Sequence, residues 1–275
     1  MSPRAFLVRG LLIGLLAGVA TFVVAYVAGE PHVQTAIELE ESGAATSATS
    51  TVTTTSTDPR HHHDTTSGEE TGDHSHGEEA VVSRHDQRTW GLLTGTVTVG
   101  AALGGIVALI AAGAVGRLGR LTVPQSTATV AVVGFLAFGL VPFLKYPATP
   151  PAVGRADTIG ARTGDYFGFL LVSVVAAVVV VVVAARVWER VSAFWAVVGA
   201  AAAYGVVMLV AGQVFPTVNE IGDFPADTLW YFRRASLLTL ATLWTVIGVG
   251  LVGAVRPLAA AAAEQTARRE LAASL

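Results

Sequence analysis

All seven histidines of this 275-residue chain lie between His32 and His85, in a polar stretch that separates two long apolar segments. Imidazole is the commonest protein ligand for divalent transition metals. The densest part reads His61-His62-His63-Asp64, then Asp73-His74-Ser75-His76-Gly77-Glu78-Glu79. Imidazoles and carboxylates interleaved at spacings of one or two residues make a loose, exchangeable tract. A structural zinc site would want four ligands at fixed separations with a small fold around them. Two readings stand side by side: metal capture by His61, His62, His63, His74 and His76, or a solvated linker with incidental histidines. His32 and His85 flank the tract next to the apolar segments, and Glu30 and Glu38 stand beside His32 in a short helical stretch, Glu30–Glu41. Gln34 lies four residues from each of those two acids, so all three share a face. The plainer reading of that face is a wet, acidic interfacial helix.

Two further polar segments carry chemistry. Lys145-Tyr146-Pro147-Ala148-Thr149-Pro150-Pro151 holds three prolines in five residues, which forces a stiff, extended chain. Lys145 and Tyr146 are candidates for a substrate path or gate, although such residues also serve as interface anchors. Gln213 through Arg234 alternates acids, aromatics and two arginines, with Gln213, Asn219, Glu220 and Arg233 as candidates for the same path. Arg233 and Arg234 call for acidic partners, and Glu220, Asp223 and Asp227 are within reach in sequence. A lid held by ion pairs accounts for this segment as well as a substrate site does.

The elements that must position these residues are membrane helices. The chain is 52% hydrophobic and 13% charged, with mean hydropathy +0.60, against roughly 25% charged in a soluble domain. Six apolar runs are long enough to cross a ~30 Å hydrocarbon core, at about 5–28, 89–115, 126–144, 166–185, 193–212 and 235–255. The expected fold is all-α: a six-helix bundle in one membrane domain. The tract 42–79 is expected to be a disordered metal-binding insertion, because Ser, Thr, Ala and Gly supply no core. Gly10, Gly14 and Gly18 repeat a GxxxG face that suits close helix packing in lipid. The first run exceeds the usual h-region and lacks a clean cleavage site, so it reads as a retained helix.

Six spans put both termini on one side. The termini and even-numbered connections hold nine arginines against three acids; the other three connections hold eight basic and seventeen acidic residues. The positive-inside rule then places both termini in the cytoplasm and the histidine loop outside. No cysteine is present, which excludes disulfides, thiolate metal sites, iron–sulfur clusters and c-type haem. The single lysine, Lys145, is not in a Walker A context, and no histidine falls in a span to ligate haem there. No tightly bound cofactor is expected. No nucleophile–base pair stands at useful spacing, so a membrane enzyme acting on a lipid or envelope precursor is the weakest reading.

In the blocks Glu30–Glu40, Lys145–Gly154 with Asp157-Thr158-Ile159, Phe224-Pro225 and Trp230-Tyr231-Phe232-Arg233, and in Phe6–Leu11, the chain resembles the CbtA family of probable cobalt transporter subunits. The resemblance implies an integral protein of the cell membrane acting in cobalt uptake linked to cobalamin synthesis, with a small single-span CbtB-like partner and cobalt as substrate. It transfers no ligand residues, and the 42–79 tract lies outside the shared blocks. The alternative is a non-conducting metal-binding or assembly subunit. Ligand type alone does not select cobalt, since Ni²⁺, Cu²⁺ and Zn²⁺ bind such donors as well or better.

Overall fold

The structure, a computed structural model, describes residues 2–52, 82–188 and 190–274. Helix α1 (Pro3–Val24) starts behind Ser2, whose hydroxyl oxygen accepts the Ala5 N–H at 3.4 Å. It runs through a π-helical turn, Ala25–Gly29, straight into α2 (Glu30–Val52). The chain is next described at a one-turn helix, α3 (Arg84–Asp86), which a second π-helical turn, Gln87–Gly91, joins to α4 (Leu92–Ala114). Helix α5 (Val123–Gly134) opens on a reciprocal cap between Thr122 and Gln125. It passes through a third π-helical turn, Phe135–Leu140, into α6 (Val141–Lys145). Then come α7 (Ile159–Val187), α8 (Ala193–Val214) and α9 (Ala226–Ala273). Among the described residues, six helical stretches are long and apolar enough to cross a membrane.

Two of the π-helical turns sit just before a proline, and the placement has a physical cause. A proline ring inside an α-helix collides with the carbonyl four residues earlier and offers no N–H. For Pro31 that carbonyl belongs to Val27, for Pro142 to Phe138, and both lie within the widened turns. A widened turn relieves the collision and lets the helix continue. Glu30–Glu41 is therefore not a separate interfacial helix but the continuation of the first span. Helix continues to Val52, so Ser42–Val52 differs from the disorder expected from Ser42 onward: each added residue closes another backbone bond on an existing helix without a new nucleus. The rest of the 42–79 tract lies outside the described residues.

The bundle is tightest where side chains are smallest. Helix α1 packs along α4 and α9. Gly10, Gly14 and Gly18 face Gly104, Gly100 and Thr96–Val97 so closely that a Cβ on Gly100 would stand 2.8 Å from the Gly18 Cα. Phe6, Ala17, Val107, Ala108, Leu243, Trp244, Ile247 and Leu251 form the core around this seam. A smaller cluster, Phe169, Met208 and Ala211, with Tyr146, Tyr204 and Phe215 against it, joins α7 to α8. Arg9, the one charge in the first apolar run, does not simply reach for water: its guanidinium donates to the carbonyls of Ala254 (3.2 Å) and Ala5 (3.0 Å), tying α1 to α9.

Candidate functional site

The polar residues collect at the end of the bundle where α1 leaves, α4 enters and α9 begins. In the first cluster, Glu30 accepts from Arg84 Nη2 at 2.6 Å, and neither side chain is fully exposed (15% and 32%). His32 stacks on Tyr231, centroids 5.6 Å apart and planes 12° from parallel; the Arg234 guanidinium lies 4.9 Å from the same tyrosine ring. Arg88 donates to the Tyr26 hydroxyl at 3.2 Å. Glu38 accepts from Gln34 Nε2 at 3.1 Å, one of the same-face pairings that the helical spacing anticipated. His85 is exposed on α3.

These contacts engage the two carboxylates named from sequence beside His32. Glu30 is engaged by a guanidinium, and His32 faces an aromatic ring. Among the described residues no three histidine, aspartate or glutamate side chains meet where one ion could bind. His61, His62, His63, His74 and His76 lie outside the described residues.

The second cluster is built on the proline-rich segment. The Lys145 ammonium, at the end of α6, donates to the carbonyls of Gly212 (2.8 Å) and Phe215 (3.1 Å), two of the unpaired carbonyls that end α8. The Tyr146 hydroxyl donates to the Pro216 carbonyl at 2.8 Å. So the strap Pro147–Gly154 is anchored to the connection between α8 and α9. Glu220, on that connection, is the hub. Its Oε2 accepts the Arg155 N–H (2.9 Å) and the Thr158 hydroxyl (2.9 Å), and it lies 3.5 Å from Arg162 Nε. The Arg155 N–H first, then the Thr158 hydroxyl and the two arginine charges, hold its carboxyl below the ordinary glutamate value against the opposing effect of burial.

Beneath the strap lies a cavity of about 500 Å³, lined by Lys145, Tyr146, Arg162, Glu220, Arg233 and apolar side chains. Four of the six residues named for a path or gate thus line one cavity, while Gln213 and Asn219 are exposed and do not line it. Ser236 and Leu240 line both this cavity and a second one, about 520 Å³, which Glu30 borders. The two polar clusters therefore adjoin the same stretch of α9. Deeper in the bundle, buried Ser173 donates to the carbonyl of Ala137 in the third π-helical turn (2.6 Å) and accepts from the Tyr204 hydroxyl (2.7 Å).

The acidic partners expected for the paired arginines are not used. Arg234 stacks on Tyr231, and among the described residues no hydrogen bond or ion pair reaches the Arg233 side chain, whose Nε is buried. Arg162 is a site residue that reading the sequence passed over. One signal for it was Gly154, whose φ of +105° is open to glycine and whose missing Cβ leaves room for the guanidinium; an added Cβ would fall 2.9 Å from Arg162 Cζ.

No curated protein and no solved structure matches the chain. The first five membrane-length helices, the strap, both polar clusters and the sixth helix as far as Arg256 fall within one family match, over residues 3–256, and the chain belongs to that family, CbtA, described as a probable cobalt transporter subunit.

Proposed function

We propose that this chain is the multi-pass subunit of a cell-membrane system that imports divalent cobalt for cobalamin synthesis. Both termini face the cytoplasm, and the histidine tract collects the ion outside. The observation that carries this reading is the CbtA match over residues 3–256, which takes in five membrane-length helices and the sixth as far as Arg256. The Glu30 region then forms the external mouth for the ion, with the strap and the α8–α9 connection beside it. A small single-span CbtB-like subunit completes the complex. Ion capture falls to the tract containing His61, His62, His63, His74 and His76, with His32, His85, Glu30 and Glu38 at its base.

A second reading, a metal-binding or assembly subunit that does not conduct, is favoured by the lack of any three converging metal ligands among the described residues. Uptake of radioactive cobalt by cells with and without the gene tests the function. Unchanged uptake on deletion would sink it. Cobalt entry into vesicles holding this chain alone separates the readings: entry supports conduction, and entry only with a partner supports the non-conducting role.

A further inference from the structure

The cavity beneath the proline strap has the wrong charge for a divalent cation. Its lining carries three cationic side chains, Lys145, Arg162 and Arg233, against one carboxylate, Glu220. At the ends of a membrane protein such charges act through a partly desolvated medium, where they are felt more strongly than in water. Glu220 is already engaged by Arg162, Thr158 and the Arg155 N–H, and Lys145 is directed to two carbonyls. Arg233 is left over: it is half-buried, its Nε is shielded from solvent, and no described residue accepts from it. A shielded guanidinium nitrogen without an acceptor carries a cost that a bound counter-charge would relieve.

We propose that this cavity binds an oxyanion of the phosphate class, held by Arg233 and favoured by the positive charge of Arg162, which itself stays engaged with Glu220 and the Arg155 carbonyl. The guanidinium fork matches two oxygens of such a group in a bidentate way that an ammonium does not. Gly154 supports the role of Arg162, because a side chain at that position would displace the guanidinium. Tyr146 also lines the cavity, and its hydroxyl donates to the Pro216 carbonyl. The phosphate can be a free ion or the headgroup of an anionic lipid, since the cavity opens at the end of a membrane span. The inference rests on the cavity alone and not on cobalt movement.

The test uses the full-length protein, delipidated in detergent, and needs no cobalt. Thermal unfolding is followed while inorganic phosphate is titrated against chloride at matched ionic strength. In parallel, the protein is melted after addition of phosphatidylglycerol or of phosphatidylcholine. Stabilisation by inorganic phosphate identifies a soluble oxyanion; stabilisation by phosphatidylglycerol alone identifies a lipid headgroup. Either effect should weaken about tenfold or more in Arg233→Gln, the loss of one charge-assisted contact. It should weaken less in Arg233→Lys, which keeps the charge without the fork and serves if the glutamine variant does not fold. Arg117→Gln, at an exposed position outside the cavity, should leave it intact. No stabilisation beyond the chloride and phosphatidylcholine controls, or equal stabilisation in both Arg233 variants and the wild type, overturns the proposal.

Discussion

Glu220 shows how much a single carboxylate can organise here. It joins Arg155, Thr158 and Arg162, which lie beyond the strap, to the connection that precedes α9. Its folded-state pKa is lowered, so the stabilisation is fully present above the ordinary glutamate range and is lost only as pH falls through the lowered value. Hydrogen exchange at the Arg155 amide, corrected for intrinsic rate, should stay slow from neutral pH through the ordinary glutamate range and rise only in stronger acid. In Glu220→Gln the amide should exchange faster than in the wild type wherever the wild-type carboxylate is ionised, and the difference should close in stronger acid. Protection already lost near neutrality would show that the bond does not order the strap. The sequence made Glu220, Lys145, Tyr146 and Arg233 visible because each is a polar residue beside an apolar run. Arg162 was not visible in that way. It sits between the proline-rich segment and the apolar run at 166–185, and its role comes from a fold-back that brings Gly154 against it. Gly154→Ala should therefore cost about 1–3 kcal/mol from backbone strain and shift Arg162 as well, seen as a lower melting temperature with helix content preserved.

The helices themselves were largely legible, for reasons that differ by element. Long uncharged runs can hardly be anything but spans in a lipid solvent. The GxxxG repeat likewise foretold a close partner for α1, and that partner is α4. What the pattern could not supply was the continuity of α1 with α2. Pro31 reads as a helix start in sequence, whereas the widened turn at Ala25–Gly29 absorbs it. Hydrophobic periodicity carries no information about such a turn. Two glycine substitutions separate packing from propensity. In Gly14→Ala the new Cβ would fall within 2.9 Å of the Ala101 Cα, so α1 and α4 must separate; the loss should be about 1–3 kcal/mol. Gly113→Ala, on the same α4 but facing open space, should change stability by no more than about 0.5 kcal/mol. Detergent-solubilised melting of the two variants reads the difference directly. Equal effects would mean that the seam is looser than the backbone approach indicates.

For the whole molecule, the division of labour between the histidine tract and the bundle is the question that function turns on. The family match covers residues 3–256 and is described as a probable cobalt transporter subunit. The tract with five of the seven histidines lies between α2 and α3, outside the described residues. The bundle meanwhile brings its own polar residues into two adjoining cavities that meet along α9. On the proposed function, closely spaced imidazoles would raise the local concentration of metal, which bears on capture rather than on passage. Removing Ser42–Glu79 should then raise the cobalt concentration needed for half-maximal uptake while leaving the maximal rate largely unchanged. Glu30→Ala should behave in the opposite way. It leaves Arg84 half-buried without its partner at the junction of α2 and α3, and the maximal rate should fall to background even at high cobalt. Glu38→Ala, in the same block, should follow Glu30→Ala if the α2 face is part of the path. The measurement is concentration-dependent uptake in cells with matched amounts of each protein in the membrane. Loss of the maximal rate on deleting the tract, with Glu30→Ala still active, would move the working site out of the bundle and into the histidines.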